Sequence, residues 1–194
     1  MIGDATRENL RRALPVHDLA SFWIQVGPSN TGQGVFARRP ISAGQRILDF
    51  RGEAIDFPGT LAMGDSECNA LQIGSNLYLD LEPPGCLVNH SCEPNAGVRD
   101  GTHLVVLRDV AAGEEITFDY STTMDENHWT LQCLCGSATC RGTIRDFRWL
   151  PESRKLALIR QGIVPAFIVA VEIDSGRLSA EQIDTACGTD RRGG

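Results

Sequence analysis

Lysine is almost missing from this sequence. The 18 Lys and Arg side chains include a single lysine, Lys155, and only two tyrosines, Tyr78 and Tyr120, stand among 194 residues. The arginine bias hints at a GC-rich genome and bears on no activity. The shortage of tyrosine matters more, because it leaves two phenols for any chemistry that needs one. Long apolar runs are also lacking. The most apolar stretch, Ile163 to Ile173, is interrupted by Pro165 and Glu172 and is far shorter than the ~20 residues of a bilayer span, so no membrane segment is expected. Met1 to Leu14 carries Asp4, Arg7, Glu8, Arg11 and Arg12, which break the apolar core a secretory signal needs. Repeats and low-complexity tracts are absent. Positive excess is absent too: the net charge of −7 argues against direct binding to nucleic acid and favours a basic peptide or protein as partner.

A hydrophobic fraction of 42% in 194 residues fits one domain around one core, with a small extension. From Phe22 to Tyr120, short apolar runs alternate with Gly, Pro, Asn and Asp: Phe22–Val26, Gly34–Ala37, Arg46–Phe50, Leu77–Leu81, His103–Leu107 and Glu115–Tyr120. Runs of about five residues rich in β-branched and aromatic side chains predict strands. The intervals between them are too short and polar for the crossover helices of a parallel sheet. From Pro151 the pattern turns helical. Pro151 and Glu152 open a helix with Leu156, Ile159 and Ile163 at helical spacing; Gly162 ends it and Pro165 starts another through Phe167 and Val171. Ser179 with Gln182 forms a capping box for a last short helix. The expected class is mainly β with a helical C-terminal extension, α+β by content. The expected division is a lead-in over 1–20, a β body over 21–121, a cysteine-bearing segment over 122–146 and the extension over 147–194.

Four segments carry chemistry. Thr31-Gly32-Gln33-Gly34-Val35-Phe36-Ala37 sets two glycines where backbone can come close to a ligand, since no Cβ intrudes. It is not a dinucleotide fingerprint, because the third glycine and the following helix are missing. Asn89-His90-Ser91-Cys92-Glu93-Pro94-Asn95 makes a polar kink whose amides and imidazole need partners once buried. In Glu114-Glu115-Ile116-Thr117-Phe118-Asp119-Tyr120, period two puts Ile116, Phe118 and Tyr120 on one face. Tyr120 then falls at the strand end, where its phenol can reach a cleft. Cys133-Leu134-Cys135-Gly136-Ser137-Ala138-Thr139-Cys140-Arg141-Gly142 supplies three thiolates within eight residues. With seven cysteines in all, that crowding favours a metal in a reducing compartment over a disulfide framework. A closed zinc site needs a fourth ligand, and Cys68, Cys86, Cys92 and Cys187 are the candidates.

Taken in order from about Gly32 to Gly142, these segments resemble the SET-domain family of protein-lysine methyltransferases with a post-SET zinc motif. Gly34-Val35-Phe36-Ala37 with Ile41 and Gly44 is similar to the opening of that domain, and Gly52-Glu53 to its Y-x-G-E element. Asn89 to Asn95 matches N-H-S-C-x-P-N, Glu115 to Tyr120 matches E-L-T-F-D-Y, and the C-x-C-x4-C-R-G pattern is complete. The resemblance implies a pseudoknotted β-clip SET fold, S-adenosylmethionine as methyl donor and a structural Zn2+ held by Cys92, Cys133, Cys135 and Cys140. It implies cofactor contacts at Gly32, Gly34, Phe36, Asn89, His90, Leu134 and an aromatic beyond the cysteines, taken as Phe147. It places Tyr120 as the catalytic phenol and Phe50, Tyr78 and Phe118 along the substrate channel. Phe118 sits where the family carries either Phe or Tyr, and a Phe leaves room for more than one methyl group.

The departures are Phe50 in place of the Tyr of Y-x-G-E, Cys86-Leu87-Val88 in place of Arg-Phe-Ile, and no cysteine-rich region before Gly32. The expected function is methylation of a lysine in a protein or peptide partner, without membrane or direct nucleic-acid binding. The expected location is cytoplasmic, or nuclear in a eukaryote. A non-catalytic, zinc-stabilised peptide-binding module and a methyltransferase of small-molecule amines are the alternatives.

Overall fold

The computed structural model describes residues 16–188. Most of the expected lead-in, residues 1–15, lies outside them. The first described element is a helix, α1 (Val16–Trp23), which runs directly into strand β1 (Ile24–Ser29). The expected strand Phe22–Val26 is therefore divided. Ala20 and Trp23 are three residues apart on one helix face and both pack on the main core, and this local spacing holds the segment helical up to Trp23. A tight turn at Asn30–Thr31 returns the chain as β2 (Gly32–Ala37), in antiparallel register from Ile24↔Ala37 to Ser29↔Gly32.

The body is a set of small sheets wrapped on one core. Strands β3 (Arg46–Asp49), β9 (His103–Val106) and β8 (Ala96–Arg99) form one in the order β3-β9-β8. Strands β4 (Gly52–Ile55), β6 (Leu77–Leu81) and β5 (Ala70–Gly74) form another in the order β4-β6-β5. The third has the order β1-β2-β10-β7, with β10 spanning Glu115–Phe118 and β7 only Asn89–His90. Every pairing in these sheets is antiparallel except β10 with β7, which is parallel at Thr117↔Asn89 and Phe118↔His90. Val35, Ile47, Val98, Leu104 and Ile116 meet in the core. The expected runs at Gly34–Ala37, Arg46–Phe50, Leu77–Leu81, His103–Leu107 and Glu115–Tyr120 correspond to β2, β3, β6, β9 and β10. The last stops at Phe118 because Asp119 turns the chain into a 3-10 turn over Tyr120–Thr123.

Strands β4, β5 and β8 and the short helix α2 (Phe57–Ala62) fall outside the expected runs. None of the three strands alternates buried with exposed residues, so a period-two search passes over them. Past Tyr120, β11 (Leu131–Gln132) pairs with β12 (Thr143–Ile144) and closes the cysteine segment into a hairpin.

The extension folds as α3 (Glu152–Arg160), α4 (Ala166–Asp174) and α5 (Ala180–Cys187). Pro151 and Pro165 stand at the N-caps of α3 and α4. The Ser179–Gln182 capping box forms in both directions. A second core joins Phe147, Leu150, Leu158, Ile163, Ile168 and Leu178. Inside it, fully buried Glu172 takes Lys155 Nζ at 2.6 Å and Arg177 Nε at 2.8 Å. Among the described residues, no helix is long and apolar enough to cross a membrane.

Candidate functional site

Strand β10 delivers the phenol. Ile116 and Phe118 point into the core, and the turn at Asp119 then presents the Tyr120 ring 4.8 Å from that of Phe118. Asp119 carries a carboxylate with no exposed surface. Arg141 neutralises it through a two-pronged contact of 2.8 and 2.6 Å, the geometry in which a guanidinium best holds a buried carboxylate. Asp119 also accepts the Ser121 N–H, capping the turn. Tyr120 is fixed from two sides: its N–H donates to His90 Nδ1 at 3.1 Å and its hydroxyl donates to Val88 O at 2.9 Å. Burial pushes the phenol above its ordinary pKa, so it stays protonated. With that proton committed to Val88, its oxygen has only lone pairs left to offer the cleft.

The His90 ring is only 4% exposed. Its Nδ1 accepts from Tyr120, so its proton belongs on Nε2, which faces Cys92 Sγ at 3.4 Å. Burial drives its pKa down to about 4, with Arg141 adding to the effect and Asp119 opposing it. The imidazole is thus neutral and committed to the protein on both nitrogens. The cofactor contact expected of His90 has no free side-chain face to come from.

A cleft open to solvent lies over Tyr120. It is lined by Phe118 and Val88, by Leu71 of β5 and Tyr78 of β6, and by Met124 and Trp129. The Tyr78 hydroxyl donates to Glu126. Burial raises the pKa of Glu126, nearby Asp146 and Glu67 adding to the effect while Tyr78 opposes it. Tyr78 and Phe118 both line this cleft. Phe50 does not. It is 2% exposed in the main core, 5.7 Å behind Phe118, and forms no part of the cleft wall. Without the hydroxyl of the tyrosine it replaces, it has no polar group to keep near the surface, and it packs inward.

The glycine segment of β2 meets Asn89 of β7. Asn89 Nδ2 lies 3.1 Å from Ser29 Oγ, 3.0 Å from Gln33 O and 2.8 Å from Glu115 Oε1. Gly34 is buried directly over this cluster, and a Cβ there would collide with Glu115 Oε1 and Asn89 Nδ2. Gly32 and Gln33 are exposed. Phe36 is half-buried, its ring lying across Gly27.

Four thiols converge beside this centre. The sulfurs of Cys92, Cys133, Cys135 and Cys140 all lie within 4.8 Å of one another. Cys92 Sγ and Cys133 Sγ are 3.8 Å apart, far too long for a disulfide. Zinc–sulfur bonds of about 2.3 Å at tetrahedral angles place sulfurs roughly 3.8 Å apart, so the donor set fits that ion. The N–H of Arg141 points at Cys92 Sγ. Cys135 is drawn down to about 6: burial opposes ionisation, and hydrogen bonds from the backbone and from Ser137 outweigh it. Leu134, between two of the thiols, is 70% exposed.

Phe147 requires correction. It is fully buried in the second core, so it has no face with which to cover a ligand. The 3-10 turn Phe147–Trp149 sends Trp149 outward instead, 60% exposed with Arg145 over its ring. The two aromatics are two residues apart, and their spacing carries no signal of which one turns in. Asp119, Arg141 and Glu126 belong to the site without being expected from the sequence. The first two lie inside recognised motifs, and their charge complementarity was the available clue.

The body of small sheets, the parallel β7–β10 contact and a phenol between a glycine segment and a cleft together define a SET-type fold. The SET domain profile matches residues 32–121, and the chain carries a SET domain over that span. Similar proteins include histone-lysine N-methyltransferase ATX2 of Arabidopsis thaliana, 33% identical over 135 residues, which cover 59% of this chain and 12% of the relative. Histone-lysine N-methyltransferase ash1 of Drosophila melanogaster is 31% identical over 132 residues, covering 60% of this chain and 6% of the relative. A Kluyveromyces lactis histone-lysine N-methyltransferase, H3 lysine-4 specific, is 30% identical over 127 residues, covering 56% and 13%. The chain thus spans only a small part of the length of each.

Proposed function

We propose that this chain transfers a methyl group from S-adenosylmethionine to the side-chain amine of a lysine in a protein. The observation that carries the reading is Tyr120: a phenol pinned by Val88 and His90, with only acceptor lone pairs facing a cleft walled by Phe118 and Tyr78. Bound S-adenosylmethionine supplies an electrophilic methyl group on a sulfonium. Gly32 and Gly34 offer it main chain, Phe36 an apolar ring edge, and Asn89 its free Oδ1. His90 contributes through its main chain, and Leu134 with Trp149 presents exposed apolar surface to cover the adenine.

Methyl transfer needs nitrogen, carbon and sulfur on one line. A narrow cleft that imposes this order supplies about 7–11 kcal/mol at the upper limit of such effects. The amine must be neutral, and its ordinary pKa is about 10.4, each unit of depression costing about 1.4 kcal/mol. The apolar walls of Leu71, Phe118 and Met124 disfavour the ammonium. Tyr120 then orients the neutral amine by accepting one of its N–H bonds. It is not a base, since burial keeps its own proton in place.

Zinc at Cys92, Cys133, Cys135 and Cys140 has a structural role in this reading. It ties the hairpin of β11 and β12 to the Asn89–Cys92 segment. The names of the relatives support a basic histone-like protein as substrate, in keeping with the net charge of −7. Because Phe50 is buried behind Phe118, its loss of a hydroxyl gives no reason to reassign the acceptor to a small amine. Isothermal titration with S-adenosylmethionine tests the reading: one site per chain is expected, and no binding would refute it.

A further inference from the structure

We propose that Arg154, in the first turn of α3, is a positioning residue that clamps the helical extension onto the cysteine knot and so holds the turn bearing Tyr120. Its Nη2 donates to the carbonyl oxygen of Cys92 at 3.0 Å and lies 3.6 Å from Asp119 Oδ2. Both partners are buried, and each belongs to a different part of the site. Cys92 offers its thiol to the four-sulfur cluster while its carbonyl is occupied by Arg154. Asp119 caps the turn that starts at Tyr120 and is already paired with Arg141. One guanidinium therefore touches the metal-binding knot and the catalytic turn together.

The clamp is anchored from behind. The next residue, Lys155, points the opposite way, into the second core, where its ammonium meets Glu172 of α4. Consecutive residues of α3 thus grip the SET body on one side and the extension on the other. Arg99 of β8 adds a second tie, donating to Gln161 O at 3.0 Å just beyond the end of α3. Residue 154 lies outside the span matched to the SET domain, so the extension supplies this contact to the domain. Both contacts are made by the one Nη2, whose two N–H bonds can be divided between the carbonyl and the carboxylate.

The inference rests on the zinc and methyltransferase readings, and its test separates them. Zinc-loaded full-length Arg154→Ala, Arg154→Gln and Arg160→Ala are compared with the parent protein. Arg160 is an exposed residue of the same helix and serves as the control. Zinc release to a chromophoric chelator is followed first, then kcat and KM on a lysine substrate. Loss of a group supporting a metal ligand typically costs 10–100-fold in retention or activity. Arg154→Ala is expected to release zinc about tenfold faster and to lose kcat by a similar factor, with KM for S-adenosylmethionine unchanged. Arg154→Gln keeps an N–H for Cys92 O and should recover most of the retention, which also carries the test where the alanine variant fails to fold. Zinc release from Arg154→Ala equal to that from Arg160→Ala would overturn the clamp, as would a glutamine variant as leaky as alanine. A parent protein without methyltransferase activity whose zinc release still depends on Arg154 would sink the catalytic reading alone and leave the clamp standing.

Discussion

Replacing Gly34 by alanine should uncouple cofactor binding from folding, and the structure gives the size of the effect. The new Cβ would collide with Glu115 Oε1 and stand 3.0 Å from both Asn89 Nδ2 and Ser29 Cβ. Gly34 is not among the glycines with positive φ, so the backbone accepts alanine and the whole cost is crowding. Glu115 must swing away, breaking its 2.8 Å bond from Asn89. A hydrogen bond to a charged group contributes about 1.5–3 kcal/mol. If that whole amount is lost from the positioning of Asn89, affinity for S-adenosylmethionine falls roughly ten- to 150-fold. Isothermal titration measures this directly, with thermal melting to show that the fold survives. Gly32→Ala is the contrast. There φ is +114° but a Cβ meets nothing within 4 Å, so backbone strain of about 1–3 kcal/mol lowers stability without touching Asn89. Binding by Gly34→Ala within twofold of the parent would refute the assignment of this cluster to the cofactor.

Other outcomes follow from single features. Metal analysis should find one zinc per chain, and Cys92→Ser should lose it while lowering the melting temperature; a metal-free protein of unchanged stability would remove zinc from the account. Glu172→Ala strands the buried Lys155 ammonium and should cost about 3–5 kcal/mol in denaturant unfolding, whereas a loss under 1 kcal/mol would mean that water reaches Lys155. The protein should not methylate its own lysine side chain, since the single lysine is 4% exposed and ion-paired. Labelled Lys155 in a peptide digest would contradict that. Mass spectrometry of a true substrate should show more than monomethyl product, because Phe118 adds no hydroxyl to the cleft; monomethyl product alone would refute this.

How legible all this was depended on periodicity and on motif. Strand β10 alternates inward residues and ends in a motif, so its presentation of Tyr120 is legible in the sequence alone. The capping box at Ser179 and the prolines at 151 and 165 are local signals, and they mark helix starts in the fold as they do in the chain. The convergence of Cys92 with three thiols some forty residues away is different. Spacing gave three ligands, and the fourth came only from family resemblance before the sulfurs were found together. What escaped notice escaped for physical reasons. Whether Phe50 or Phe147 faces a cleft or a core depends on tertiary packing that neither residue's neighbours encode. Strands β4, β5 and β8 show no alternation of buried and exposed residues, and the last two residues of α1 read as strand because Phe22, Trp23 and Ile24 form one apolar run. The pairing of Arg154 with Cys92 spans 62 residues and has no trace in local sequence.

The central claim, that Tyr120 serves methyl transfer to a protein lysine, is tested most directly on an array of lysine peptides with methyl-labelled S-adenosylmethionine, using the parent protein and Tyr120→Phe side by side. Label should enter lysine with the parent. The variant should lose at least 90% of the rate, about tenfold or 1.4 kcal/mol in the barrier, while titration shows its cofactor affinity retained. Equal labelling by the two proteins would remove Tyr120 from the mechanism, and no labelling of any lysine by the parent would contradict the assigned activity.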